Sequence, residues 1–243
     1  MYLKKATLLA IIGISYTFIL RTIGIFFPNI FRDPLIIQIS VIISLLASLS
    51  IVFFFIAFYK YYIQEKQIRL KKVCILAIIG SFGMVLLQVK NILLVFNKLS
   101  THLYNFSPYL FSPYLVKLVN SHSIDPIMPW ISSIFTLIFF IIFYKETLKD
   151  KKIRDQDNNI SSIGNNGLNK AILFAIIGSS IGTLLRTFVL INYLYLRESR
   201  WFSDLSKETQ VILIPIFAFS FITVLYFFLS FYSLKTNEFV ELQ

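Results

Sequence analysis

Six apolar runs, each about 16–24 residues long, restrict this chain more than any other feature, because each can cross a hydrocarbon core of roughly 30 Å as a helix. A segment surrounded by lipid must satisfy its backbone N–H and C=O groups internally, and a helix does so within one run. Hydrophobic residues fill 57% of the 243 positions and charged residues 14%, against roughly 45–50% and about 25% in a soluble domain. The expected fold class is therefore an all-α integral membrane protein with six transmembrane helices. The spans lie at about 6–27, 34–58, 73–96, 129–144, 171–196 and 211–232.

The runs are not independent of one another. Lys5-Ala6-Thr7-Leu8-Leu9-Ala10-Ile11-Ile12-Gly13 is echoed by Lys72 to Gly80 and by Lys170 to Gly178, each copy ending in Ala-Ile-Ile-Gly. A second signature closes each unit: Phe54-Phe55-Ile56-Ala57-Phe58-Tyr59, Phe139-Phe140-Ile141-Ile142-Phe143-Tyr144 and Phe227-Phe228-Leu229-Ser230-Phe231-Tyr232. The Gly-to-Gly periods of 67 and 98 residues are too irregular for a solenoid and suit a duplicated hairpin with unequal loops. Three two-helix repeats are expected: 1–69, 70–167 with a flexible cytoplasmic linker at its end, and 168–243. Asp33-Pro34 and Asp125-Pro126 read as matching helix starts, since Asp caps free N–H groups and Pro fits the first turn.

Orientation follows from Lys and Arg. With the amino terminus inside, two precede the first span, five lie in 60–72, six in 145–170 and one in the tail. That makes 14 inside against six in the outer loops, with Arg21, Lys90 and Arg186 within spans. Cytoplasmic loops retain such residues, so both termini are expected in the cytoplasm of a plasma (bacterial inner) membrane. The bilayer accounts for the net charge of +11, and no basic domain is available for nucleic acid. The apolar amino terminus is read as the first span rather than a signal peptide: Arg21-Thr22-Ile23 stands where a small-residue cleavage pattern belongs.

Several chemistries are disfavoured. All twelve Asp and Glu fall in loops or the tail, whereas proton-coupled pumps carry intramembrane carboxylates. A P-loop is absent. Cys74 is the single cysteine, so paired-thiol metal sites and intrachain disulfides are excluded. His102, His122 and Asp125 match no metal-ligand spacing, and no cofactor is expected. Gly178-Ser179-Ser180-Ile181-Gly182 spells Gly-x-Ser-x-Gly, but inside a helix it reads instead as Gly-x-x-x-Gly, a close-packing face. Gly13, Gly80, Gly178 and Gly182 are expected at helix contacts. Ser40, Ser44 and Ser48 share one face at four-residue spacing and are expected to pack likewise.

The in-span cations are the candidate site. Arg21 and Arg186 each stand eight residues beyond their repeat Gly, where the middle copy has Gln88 with Lys90 close by. Counted from Lys5, Arg21 lies about 24 Å into the bilayer. These residues either snorkel to outer phosphates or converge on an anion or lipid headgroup. Three two-helix repeats are also the plan of the mitochondrial carrier family, but its Pro-x-Asp/Glu-x-x-Lys/Arg signature is absent from every odd-numbered span. The expected function is a non-enzymatic permease or transport component for a small anionic or amphiphilic solute. The alternative is a membrane anchor, immunity factor or accessory subunit. The bilayer is the obligatory partner, with an anionic lipid, a small solute, a partner protein or a second copy as further ones.

Overall fold

The computed structural model describes residues 2–27, 30, 33–63, 67–104, 124–156, 163–196 and 207–240. Six helices account for nearly all of them: α1 Tyr2–Phe26, α2 Pro34–Tyr61, α3 Ile68–Tyr104, α4 Ile124–Gln156, α5 Ile163–Leu196 and α6 Lys207–Val240. No strand occurs among the described residues. Each helix holds a stretch long and apolar enough to cross a membrane: Tyr2–Gly24, Pro34–Tyr61, Ile68–Val95, Asp125–Lys149, Gly167–Asn192 and Ile214–Leu234.

Local sequence sets the helix starts only in part. Asp33 caps α2, its Oδ1 accepting the Leu35 N–H at 2.9 Å, and Pro34 occupies the first turn. At the other end the Tyr62 N–H donates to the Phe58 carbonyl at 3.0 Å. Elsewhere the helices outrun the apolar runs, because hydropathy marks where lipid lies and not where a helix stops. The stretch 145–170, expected to be a flexible linker, is helical to Gln156 and again from Ile163. Lys and Glu are good helix formers, and Lys149 bonds Glu146 at 3.0 Å one turn away. Residues 97–128, expected as an outer loop, contribute the end of α3 and the start of α4. Asp125 thus belongs to the first turn of α4 rather than to a loop. The tandem Ser-Pro-Tyr-Leu segments at 107–115 lie outside the described residues. Pro215 lies within α6, which continues to Val240 through what reads as a polar tail.

The helices form a closed ring, each packing on its neighbours in sequence and α1 packing on α6. Leu3, Leu70 and Leu168, near the starts of the odd-numbered helices, share one core with the end-motif phenylalanines of the even-numbered ones. That end of the ring is filled by nine phenylalanines: Phe54, Phe55 and Phe58, Phe139, Phe140 and Phe143, and Phe227, Phe228 and Phe231, none more than 2% exposed. Their contacts run round the ring in one sense. Phe54 meets Phe228 at 4.6 Å, Phe139 meets Phe55 at 5.0 Å and Phe227 meets Phe140 at 4.9 Å, all edge-to-face. Phe58, Phe143 and Phe231 lie mutually within 6.5 Å. Edge-to-face geometry matches the positive ring edge to the negative face, so the nine rings make a solid plug. Around it Tyr2 stacks on Tyr61 at 5.8 Å, Lys4 Nζ sits 5.3 Å over Tyr232 and Lys60 Nζ 5.3 Å over Tyr61.

Candidate functional site

The small residues decide how closely the helices approach. Gly13 of α1 faces Ala47 and Ser50 of α2; a methyl there would come within 3.1 Å of the Ala47 Cα and closer to the Ser50 Oγ. Gly80 of α3 faces Ser132 and Phe135 of α4, with 3.1 Å to the Ser132 Cα. Gly178 of α5 faces Ser220 and Thr223 of α6, with 2.9 Å to the Thr223 Cβ. Gly182 meets the Ser220 Oγ at 2.9 Å on the same measure. Ser40, Ser44 and Ser48 are half-buried and donate back to the Ile37, Ser40 and Ser44 carbonyls of their own helix; the groups nearest Gly13 are Ala47 and Ser50 instead. The Gly-x-Ser-x-Gly segment lies in the middle of α5, without the strand-to-helix turn a nucleophile elbow requires.

Beyond the plug the ring holds a half-open cavity of about 180 Å³. Its floor is Phe55, Phe140 and Phe228, the upper tier of the plug. One turn further from the floor stand Ile51, Thr136 and Val224, the same position in each even-numbered helix. Ser132, Ser133, Thr136, Ser179 and Ser220 give the wall hydroxyls on the α4–α6 side, while Ile14 and Ile51 make the α1–α2 side apolar. Arg186 is the charged residue among the described lining. It stands one turn beyond Gly182 and two turns beyond Ser179 on one face of α5, about 10 Å from Ser179 along the axis.

Three of the five hydroxyls donate to backbone carbonyls, two within α4 and Ser220 across to α5, which lets them sit in apolar helices. Ser133 Oγ donates to the Trp130 carbonyl at 2.7 Å, Thr136 Oγ1 to the Ser132 carbonyl at 2.8 Å and Ser220 Oγ to the Gly178 carbonyl at 2.8 Å. A hydroxyl that donates still carries lone pairs, so these three keep acceptor capacity.

Of the four candidate anion-site residues, the three with described side chains go to different places. Arg186 lines the cavity. Lys90, only 8% exposed, pairs with Asp125 at 2.6 Å across the α3–α4 contact. Gln88 Oε1 accepts from Asn91 Nδ2 at 3.5 Å. Arg21 belongs to α1, and its side chain lies outside those described. The described cavity lining includes neither Gln88 nor Lys90. Asp125 as a partner for Lys90, 35 residues away, was not legible from local sequence, where it reads as a helix cap. The hydroxyls were visible in the sequence: Ser132 and Ser220 occupy the repeat position held by Ala47. No group of three or more His, Cys, Asp or Glu able to hold a metal occurs among the described residues. Cys74 is buried, its thiol donating to the Phe55 carbonyl at 3.4 Å. No family model, curated protein or solved structure matches the chain.

Proposed function

We propose that this chain is a multi-pass membrane permease, or the transport component of one, for a small anionic or amphiphilic solute. The observation that carries this reading is the interior cavity, with five hydroxyls and Arg186 in its wall and a phenylalanine floor. Polar and charged groups inside a helical bundle are expensive in lipid and tend to mark solute pathways. A merely structural bundle gains nothing from an open chamber beside a plug that could have been extended. The protein is non-enzymatic on this reading and takes no cofactor.

The architecture proposed is three copies of one hairpin. Its supports are the matched packing of Gly13, Gly80 and Gly178 on the following helix and the cyclic order of the phenylalanine contacts. The plug faces the cytoplasm with both termini, in agreement with the Lys and Arg distribution. The Lys4–Tyr232 and Lys60–Tyr61 contacts suit headgroup depth, where aromatic and basic side chains collect. A second reading, an anchor, immunity factor or accessory subunit, is favoured by the plug itself, which leaves one half of the bundle solid.

Uptake into proteoliposomes separates the two. The permease reading expects saturable entry of a labelled small anion that Arg186→Gln abolishes while the protein remains folded. Lack of uptake across a panel of inorganic and organic anions, together with co-purification of a stoichiometric partner protein, would establish the accessory role instead.

A further inference from the structure

The chemistry of the cavity narrows the solute, and this step rests on the permease reading. Three features act together. The volume of about 180 Å³ is slightly larger than an apolar cavity of about 150 Å³ known to hold benzene, so a ligand of roughly six to nine non-hydrogen atoms fits. The floor and the α1–α2 wall are apolar, with Phe55, Phe140, Ile14 and Ile51 supplying the surface. Against them stands the guanidinium of Arg186, with neighbouring hydroxyls that donate to backbone carbonyls.

This combination discriminates among anions. Phosphate or sulfate is stripped of water only where donors surround it. Here the Ser133, Thr136 and Ser220 hydroxyls spend their protons on backbone carbonyls, so such an ion would find donors on one side only, from Arg186, Ser132 and Ser179, and hydrocarbon on the other. A halide leaves the apolar wall uncovered. A dicarboxylate buries a second charge against phenylalanine, which is strongly unfavourable. A monocarboxylate satisfies every side. Its two oxygens match one edge of the guanidinium fork, whose five N–H donors leave others for the contacts Arg186 already makes. Its apolar body covers the floor. We propose that the cavity binds a small monocarboxylate with a compact apolar body, its carboxylate on Arg186 and its tail on Phe55, Phe140 and Phe228.

The test is calorimetric titration of the purified protein in neutral detergent, with benzoate and hexanoate as probes. Both should bind saturably, and phosphate, succinate and benzyl alcohol at least about tenfold more weakly, a difference of about 1.4 kcal/mol. Arg186→Gln should lower benzoate affinity at least about tenfold, and Arg186→Lys by less, since the charge survives and the fork does not. Thr136→Leu fills the cavity and should weaken benzoate comparably, with an unliganded melting temperature close to the parent's. Equal affinity for phosphate, or unchanged benzoate binding in a folded Arg186→Gln protein, overturns the assignment. Tighter binding of dodecanoate, or of phosphatidylglycerol vesicles competing with benzoate, overturns it in favour of a lipid. Uptake of labelled benzoate by proteoliposomes keeps the two proposals distinct. Benzoate binding without uptake removes the transport role and leaves the carboxylate site. Uptake of another anion with no benzoate binding removes the carboxylate site and leaves transport.

Discussion

Substituting Ala for single glycines tests whether the Ala-Ile-Ile-Gly repeats are packing surfaces, because two opposing terms can be set against each other. In a helix interior Ala is favoured over Gly by about 0.8–1 kcal/mol. Opposing this is the room for one methyl group. At Gly167 of α5 nothing lies within 4 Å of the new Cβ, so Gly167→Ala should realise most of the gain, raising the melting temperature by about 2–4 °C for a chain of this size. At Gly83 the neighbour is the Met128 Sδ at 3.2 Å, a flexible end that can yield, and the two terms nearly cancel. At Gly178 the methyl meets the Thr223 Cβ at 2.9 Å and the Ser220 carbonyl oxygen at 3.1 Å. Those atoms belong to the α6 backbone or sit next to it, so the helices must part. Overpacking of that kind costs about 1–3 kcal/mol, leaving Gly178→Ala net destabilised by up to about 2 kcal/mol once the helix gain is subtracted. Gly13→Ala should behave alike, and Gly178→Leu should prevent assembly. The assay is thermal unfolding in a single detergent, followed by circular dichroism and by size-exclusion recovery. If Gly178→Ala and Gly13→Ala melt at or above Gly167→Ala, the close-packing reasoning fails.

Other perturbations address separate parts of the molecule. Phe58→Ala removes a fully buried ring from the plug and should cost about 3–5 kcal/mol; a melting temperature within about 2 °C of the parent would show that the rings do not hold the end together. Asp125→Asn takes the carboxylate from a nearly buried Lys90; with Asp125 itself partly exposed the loss should be about 1–2 kcal/mol, visible as a lower midpoint that Lys90→Gln in the same chain partly restores. Single cysteines in a Cys74→Ser background test orientation: an impermeant thiol reagent should label position 107 and not 161 in intact cells, and the reverse pattern would invert the topology. Gln88→Arg restores the residue found in the other two copies. Since Gln88 is absent from the described lining, its substitution should leave benzoate affinity within about twofold, a change of about 0.4 kcal/mol.

Sequence alone determined that the chain is helical and apolar enough to cross a membrane six times, because run length and the absence of charge are properties of single segments. The recurring Ala-Ile-Ile-Gly and Phe-Phe-x-x-Phe-Tyr motifs were equally plain, and with them the small and aromatic positions that later face one another. Helix ends were poorly legible: Lys145 to Gln156 carries no hydropathy signal, yet its straight-chain residues continue α4 past the apolar run. The site was legible only in fragments. Arg186 stood out as a cation within a span, but nothing local showed that Lys90 pairs with Asp125, which reaches it because α3 and α4 pack together. Ser and Thr in an apolar helix look alike whether they face a cavity or a neighbour, since each can satisfy itself on a carbonyl one turn back. Ring closure of α1 on α6 brings Ile14, Thr136, Ser179, Arg186 and Ser220 around one space with Phe55, Phe140 and Phe228 beneath it. That juxtaposition joins residues more than 200 positions apart, and only packing between helices could decide it.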